Sequence, residues 1–446
     1  MNIQISEHFT YKKLLRFTLP SIIMMVFTSI YGVIDGFFVS NFVGKTPFAA
    51  VNFIMPFLMI LGAVGFMFGT GGSALISKTM GEGNRDKAKR LFSLFVYVTA
   101  ISGIAIAVIG MIFIRPIASF LGAEGKMLED CIIYGRIILI ALPFYMLQYE
   151  FQSFFATAEK PQLGLGVTVA AGLTNIILDA LFIAVFKWGL AGAAAATAIS
   201  QTVGGIIPLI YFSRPNKSLL RLTKTKFDKK ALIKACTNGS SELMTNISMS
   251  IVNMLYNAQL MKYAGENGVA AYGVLMYVNM IFLAAFIGYS VGTVPITGYH
   301  FGADNYDELK GLLKKSFSII GIFSLCMLVL AEILAYPLAN LFVGYDAELI
   351  NLTIRGFRIF SFSFLFAGTS IYGSSFFTAL NNGLISALIS FLRTLVFQIA
   401  AVLILPAFLG IDGIWISIVT AEIMSMIITI ISVSYTHLRA HETAAN

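Results

Sequence analysis

Charged residues are scarce in this sequence. Asp, Glu, Lys and Arg make up 12% of it, whereas hydrophobic residues make up 58%. A soluble globular protein is about 25% charged, and those charges cover its surface. The few charges here cannot cover a chain of 446 residues. This composition excludes a soluble globular protein and predicts a chain that crosses the membrane many times.

Cysteine and histidine are also rare, with three and four residues. Cys131, Cys236 and Cys326 are odd in number and scattered through apolar runs, so they predict neither a disulfide framework nor a metal site. The glycine-rich residues 65–75 lack the Lys-Ser/Thr pair of a phosphate-binding loop. Catalytic triad and dyad spacings do not stand out. We therefore expect no enzyme, no cofactor, no structural metal and no ATP-driven transport by this chain.

Apolar runs predict the number of membrane passes. A helix rises 1.5 Å per residue, so a hydrocarbon core about 30 Å thick needs about 20 apolar residues. Such runs predict an all-α protein with twelve transmembrane helices, at about residues 15–40, 51–77, 91–114, 132–156, 163–186, 190–212, 235–261, 270–298, 316–336, 354–379, 384–406 and 412–433. The N-terminus has no short apolar core with a cleavage site, so we expect no cleaved signal peptide.

The basic residues predict the orientation of these helices. With both termini in the cytoplasm, inner segments hold 20 of the 30 Lys and Arg residues and outer segments hold five. Lys and Arg favour the cytoplasmic side, so this orientation is expected, in the cell membrane. The net charge of +8 lies in loops between apolar segments and does not indicate a nucleic-acid partner.

An internal repeat divides the chain into two halves. A shift of 221 residues without gaps brings polar loop residues and glycines into register: Gly71 with Gly292, Gly81 with Gly302, Asn84 with Asn305, Asp86 with Asp307, Lys89 with Lys310, and Pro116 with Pro337. Each half has six passes, so the halves share one orientation, as in transporters with two rocking lobes. We predict an N-terminal lobe at 1–212, a basic cytoplasmic linker at 213–234 and a C-terminal lobe at 235–433.

The last residues, 434–446, change to a polar composition. His437 and His441 are spaced to share a metal if this segment is helical. The segment continues no pattern of the chain, and we expect a solvated or non-native end without function.

Four polar residues of the first half are expected at similar depth near the outer side. Asp179 follows Asn175 by one helical turn in the fifth pass, Asp35 lies near the outer end of the first, and Thr197 lies about two turns into the sixth. Two carboxyl groups in a low-dielectric pocket repel each other and favour a bound proton. The same oxygens are also suited to Na⁺, a hard cation. Alternatively, Asp35 only reaches the outer interface, and Asn175 and Thr197 bond to local backbone.

The remaining intramembrane acids have other predicted roles. Glu422 and Arg393 lie midway along neighbouring antiparallel passes, which predicts a structural ion pair. Glu150 is expected to line a substrate cavity, to act in gating, or only to face the cleft. Glu242 and Glu332 lie near the ends of passes and are expected at the membrane interface.

The segments IYGVIDGFFVSNFVGKTPFAAVNF (30–53), MGEGNRDKAKR (80–90) and FGADNYDELK (301–310), within twelve passes in two halves, resemble the MATE (multidrug and toxic compound extrusion) transporters, most closely their MepA-like and DinF-like bacterial branch. The resemblance covers about residues 10–433. It implies the MATE fold and a secondary antiporter that exchanges H⁺ or Na⁺ for lipophilic or cationic organic compounds by alternating access, with small organic substrates and membrane lipids as partners of a monomer.

The resemblance also implies which residues couple the cation. In DinF-like members an acid of the first pass, an Asn and Asp of the fifth and a Thr of the sixth do so, and these fall on Asp35, Asn175, Asp179 and Thr197. The tenth pass lacks the interior acid of NorM-like members, so coupling is expected in the first half only. Two alternatives remain. A lipid-linked saccharide flippase would line its cleft with arginines, and a membrane-embedded transferase would need paired acids in loops or a His/Asp dyad.

Overall fold

In the computed structural model all regular structure is helical across the described residues, 3–344 and 346–444; positions 40, 45, 46, 48 and 436–444 are described by their backbone alone. The α-helices are α1 (Tyr11–Phe38), α2 (Lys45–Gly81), α3 (Arg85–Phe120), α4 (Gly125–Thr157), α5 (Pro161–Asp179), α6 (Gly189–Ser213), α7 (Lys229–Gly302), α8 (Tyr306–Val343), α9 (Ala347–Ser361), α10 (Phe364–Ala379), α11 (Gly383–Phe391), α12 (Phe397–Leu409) and α13 (Ile411–Ala444). Three π-helical turns, Val39–Val43, Ala180–Val185 and Leu392–Val396, follow α1, α5 and α11.

Helix α7 contains two membrane passes. Its 74 residues would extend about 110 Å in a straight helix, several times the thickness of a bilayer core. The break is at Gly265, with φ 61° and ψ −151°, a conformation that costs glycine little because it has no Cβ. Helices α9 and α10 form one pass bent by 47°. Counted in this way, the described helices make twelve passes, which confirms the predicted architecture.

The bend between α9 and α10 corrects the prediction of one uninterrupted helix at 354–379. The helix stops at Ser361, and the next begins at Phe364. The Ser361 hydroxyl lies 2.5 Å from Glu332 Oε1 and 2.8 Å from the Arg358 carbonyl oxygen. Serine hydroxyls that bond to local backbone compete with regular helical hydrogen bonding, and the apolar pattern does not reveal that competition.

The two halves begin corresponding helices with the same cap. Asn84 Oδ1 accepts a hydrogen bond from the Lys87 N–H at 3.0 Å at the start of α3, and Asn305 Oδ1 accepts one from the Glu308 N–H at 3.2 Å at the start of α8. An Asn at this position satisfies backbone donors that the first helical turn leaves unpaired. Asn84 and Asn305 are a pair in the 221-residue repeat, so the repeat holds in the backbone as well as in the sequence.

The lobes have separate cores at one end and a shared core at the other. One buried cluster lies within residues 39–194 and another within residues 252–415. A third contains buried residues of both lobes, including Phe95, Ala235 and Tyr289. The shared core lies at the end that carries the basic linker, where α2 of the first lobe crosses α7 of the second.

Glycines allow the backbones of α2 and α7 to touch at this end. A Cβ on Gly71 would lie 2.0 Å from the Ala235 carbonyl oxygen, and one on Gly81 would lie 2.0 Å from the Tyr299 carbonyl oxygen. Small residues at such crossings let helices approach closely in a membrane. The glycine-rich segment at 65–75 therefore packs helices, and its Gly71 belongs to the contact between the lobes.

A short N-terminal segment, residues 3–10, joins both lobes at the same end. The Ile5 N–H donates to Glu159 Oε1 at 2.7 Å, in the turn between α4 and α5 of the first lobe. The Phe9 N–H donates to Glu308 Oε1 at 2.9 Å, and Lys315 Nζ donates to the Phe9 carbonyl oxygen at 2.6 Å, both on α8 of the second lobe. Burial raises the pKa of the Glu159 carboxyl group, and the hydrogen bond from Ile5 opposes this effect. The segment is thus a bridge between the lobes.

Candidate functional site

Helices α1, α5 and α6 bring the four polar residues predicted in the first half together. The Thr197 hydroxyl donates to Asp35 Oδ1 at 3.4 Å. The carboxyl groups of Asp35 and Asp179 interact directly, and the Asn175 amide lies beside the Asp35 carboxyl. Asp35 therefore faces a polar cluster inside the lobe, and the alternative of an isolated interfacial residue does not describe this structure.

Asp179 and Asn175 are the most deeply placed members of this cluster. Asp179 has no exposed surface and Asn175 is 1% exposed. Neither Asp179 carboxyl oxygen, nor Asn175 Nδ2, has a hydrogen-bond partner among the described residues. An isolated buried carboxylate is very costly, so such a group takes up a proton or pairs with a cation.

The cluster is acidic and has no basic partner. In the described part of the chain, no Lys, Arg or His nitrogen forms an ion pair with Asp35 or Asp179. Two carboxyl groups that interact directly can form a hydrogen bond only if one holds a proton. The arrangement can therefore hold a proton between its acids or a small cation between its oxygen atoms.

Each acid of the cluster lies beside a π-helical turn. Asp179 is the last residue of α5 before the π-helical turn Ala180–Val185, and Asp35 lies one turn before Val39–Val43. π-Helical turns are rare in soluble and membrane helices and occur often at functional sites. They show that the helix geometry departs from regular α where the acids meet.

Two tyrosines that were not predicted lie near the cluster. Tyr134 of α4 is buried, with its hydroxyl 3.7 Å from Met55 Sδ and within electrostatic range of both acids, and Tyr31 of α1 lies within electrostatic range of Asp35. Tyr134 lies nine residues after the start of α4 at Gly125, and Thr197 lies eight after the start of α6 at Gly189. Both helices begin at the end of the molecule opposite the basic linker, so Tyr134 and Thr197 lie at similar depth, and that similarity could have indicated Tyr134.

Arg393 and Glu422 form the contact that their matching depth predicts. Arg393 Nε donates to Glu422 Oε2 at 2.9 Å and Nη2 donates to Oε1 at 2.9 Å, and the two residues are 9% and 4% exposed. Glu242 of α7, expected at the interface, is half-buried and lies within electrostatic range of Arg393. In the first half Gly172 takes the place of Arg393, and a Cβ there would lie 2.5 Å from the Phe27 ring.

Glu150 lies outside both clusters. It has no exposed surface, and neither carboxyl oxygen has a hydrogen-bond partner among the described residues. The backbones of α4 and α2 are close here, because a Cβ added to Gly69 of α2 would lie only 2.9 Å from the Glu150 Cα. Packing of α4 against α2 encloses it, so in this conformation it does not line an open substrate cavity or face the cleft. The side chains of His437 and His441 lie outside the described residues.

The family of the chain follows from a comparison with family models. The MatE model matches residues 20–181 and again residues 243–404. These two matches cover more than half of the chain, one in each half of the repeat. The chain belongs to the MatE family.

Individual relatives agree along nearly the whole length. The multidrug export protein MepA of Staphylococcus haemolyticus (strain JCSC1435) is 27% identical over 419 residues, 93% of this chain and 91% of the relative. MepA of Staphylococcus aureus (strain MRSA252) is 26% identical over 415 residues, 92% and 91% of the two chains.

Solved structures show the same fold. A MATE protein in complex with MaL6 superposes with a TM-score of 0.92 at 23% identity, over 99% of this chain and 98% of that one. The outward-facing conformation of a multidrug resistance MATE family transporter gives the same TM-score, identity and coverage. The fold class inferred from the sequence is confirmed.

Proposed function

We propose that this protein is a multidrug efflux transporter of the plasma membrane, which exports lipophilic or cationic organic compounds in exchange for H⁺ or Na⁺. The family, and relatives that are named as export proteins, support transport over enzymatic activity. The protein would act as a monomer among membrane lipids, with both termini in the cytoplasm, and would need no cofactor besides the coupling ion.

The observation that carries the proposal is the buried, unpaired carboxyl group of Asp179 beside Asp35. Asp179 is fully buried and lacks a hydrogen-bond donor among the described residues. Such a group is stable with a proton or a cation and becomes costly without one. Entry of H⁺ or Na⁺ therefore changes the free energy of the conformation that encloses Asp179, and this difference couples the cation gradient to movement of the lobes.

The contacts between lobes support alternating access. The shared core, the α2–α7 glycine contacts and the N-terminal bridge all lie at the end with the basic segments. That end is closed here and would face the cytoplasm by the positive-inside rule. Opening it requires the lobes to separate around the cation and substrate sites, as in rocking-lobe transporters.

The acidic character of the cluster favours export of organic cations over flipping of lipid-linked saccharides. A pyrophosphate-bearing substrate would need cationic residues, whereas the first-lobe site carries two carboxyl groups and no ion pair among the described residues. Cationic compounds and coupling cations can compete for these carboxyl groups, which is the simplest basis of exchange.

Ethidium efflux from vesicles tests the proposal, with H⁺ and Na⁺ gradients imposed separately. We expect the wild type to extrude dye under at least one gradient, which identifies the coupling ion, and Asp179→Asn to lose gradient-driven efflux. The matched control Asp86→Asn, an exposed residue of α3, should retain it. Full gradient-driven efflux by Asp179→Asn contradicts the coupling role, and absence of any wild-type efflux contradicts the function.

A further inference from the structure

A crevice of about 600 Å³ lies in the second lobe between α8, α10 and α13. Its walls include Lys310, Lys314 and Phe317 of α8, Thr369 of α10 and Val433 of α13. Two ammonium groups therefore lie above walls that are otherwise mainly apolar. This volume is within the usual range for a site that binds a small molecule.

The two lysines are free to bind an anion. They are four residues apart on one helix, so their side chains share a face. In the described part of the chain, neither ammonium group has a carboxylate oxygen within 4.0 Å. Lys310 follows the start of α8 at Tyr306 by four residues, at the end of the molecule that carries the basic linker.

The first lobe has a counterpart of this crevice, and there it is filled by protein. The rings of Phe92 and Phe212 pack with centroids 5.0 Å apart. Leu220 of the linker is fully buried in the same cluster. The Thr223 N–H donates to Ser93 Oγ at 2.8 Å, which fixes the linker over α3. The segment that follows α6 thus closes the first-lobe position.

Among the described residues, the second lobe has neither the filling residues nor a segment that covers the crevice. In the 221-residue register, Leu313 replaces Phe92, Lys314 replaces Ser93 and Val433 replaces Phe212. The chain turns back after α6, but α13 continues as a helix through Ala444. The ammonium group of the exposed Lys314 cannot accept a hydrogen bond from a backbone N–H as the Ser93 hydroxyl does, and it is suited instead to an anionic partner.

We propose that the crevice binds one anionic phospholipid of the cytoplasmic leaflet, with the phosphate between Lys310 and Lys314 and an acyl chain against Phe317 and Val433. Basic pockets between transmembrane helices on the cytoplasmic side bind anionic headgroups in this way. The apolar walls continue into the lipid-facing surface of α13, where Ile430 is 46% exposed. The lipid would occupy in the second lobe the place that the linker occupies in the first.

Native mass spectrometry of the full, delipidated chain tests the site, with phosphatidylglycerol and phosphatidylcholine as probes. We expect one phosphatidylglycerol to be retained by the wild type, and binding at least tenfold weaker in the Lys310→Gln/Lys314→Gln double variant. The Lys224→Gln/Lys226→Gln control removes two exposed charges of the linker and should bind as the wild type does. Equal retention of phosphatidylcholine, or full binding by the Lys310→Gln/Lys314→Gln variant, overturns the proposal.

A second variant distinguishes lipid binding inside the crevice from lipid binding to the charged surface of the two lysines. Val433→Phe copies the residue of the first lobe and fills the crevice with both lysines intact, so we expect weaker phosphatidylglycerol binding at an unchanged unfolding temperature. Glycerol phosphate at the same concentration should not displace the lipid, because it lacks the acyl chains. Displacement by glycerol phosphate indicates a phosphate site instead. Absence of any bound lipid in the wild type means that water or another part of the chain fills the crevice, and also overturns the proposal.

Discussion

The Tyr256 hydroxyl donates a hydrogen bond to Gln398 Oε1 at 2.7 Å in the core of the second lobe. In the 221-residue repeat Tyr256 corresponds to Asp35, and Ala400 corresponds to Asp179. At the positions of the two first-lobe carboxyl groups the second lobe therefore has Tyr256, which bonds to a neutral partner, and the apolar Ala400. The two lobes therefore share a fold and differ in the charge of equivalent positions, so their responses to cations should differ.

Thr197 is expected to tune cation binding through its hydrogen bond to Asp35. Thr197→Val removes the donor, and a hydrogen bond to a charged group is worth about 1.5–3 kcal/mol. The apparent affinity for the coupling cation should fall about tenfold or more, measured as the cation concentration that half-saturates ethidium exchange. Thr197→Ser keeps the hydroxyl and should stay close to the wild type. Equal affinities for the Val and Ser variants would exclude this role.

Arg393 and Glu422 are expected to contribute to stability and not to coupling. Removing one partner of a buried ion pair leaves the other charge uncompensated and costs about 3–5 kcal/mol, whereas replacing both with apolar residues is often nearly neutral. Glu422→Leu should lower the unfolding temperature in detergent, and Arg393→Met/Glu422→Leu should recover most of the loss. Failure of the double variant to recover would show that Glu242 also depends on Arg393.

Gly71 is expected to control closure at the end that carries the basic segments. A methyl group there would meet the Ala235 carbonyl oxygen at 2.0 Å, so Gly71→Ala must separate α2 from α7. Distances between spin labels across this end should lengthen and broaden. Gly273→Ala is the control, because a Cβ at Gly273 meets nothing within 4 Å. An unchanged distance distribution in Gly71→Ala would show that the helices can close without this contact.

The bridge from the N-terminal segment is expected to depend on Glu308. This carboxylate accepts the Phe9 N–H and lies 2.6 Å from His8 Nδ1. Glu308→Gln weakens both contacts, so hydrogen–deuterium exchange at the Phe9 amide should accelerate at least tenfold. Asp307→Asn changes the neighbouring exposed acid and should leave that exchange unaltered. Slow exchange in Glu308→Gln would mean that burial of Phe9 is sufficient to hold the segment.

Sequence reasoning was most informative where depth in the membrane is fixed by helix rise. Asp35, Asp179 and Thr197 were expected at one level because each is a known number of residues from the outer end of its helix, and their contacts follow from that level. Rotation about the helix axis is set by packing, which a single sequence does not contain. For this reason Tyr134 was missed, and Glu150, which is enclosed in this structure, was expected to line a substrate cavity, act in gating or only face the cleft.

Short polar segments gave less information. Residues 3–10 show no apolar period, so their contacts with Glu159 and Glu308 could not be anticipated. The break at Ser361 could not be anticipated either, because the residues around it are apolar enough to predict one continuous pass. Both features depend on hydrogen bonds between residues distant in sequence or on competition with the helix backbone.

The N-terminal bridge has a consequence for turnover. If the lobes separate at that end, its hydrogen bonds to at least one of them must break, and they form again on closing, whatever compound is being carried. Their strength adds the same amount to the barrier for every substrate. Changes at Ile5, Phe9 or Glu308 can therefore accelerate or slow export of all compounds alike while leaving the selectivity of the binding pocket untouched.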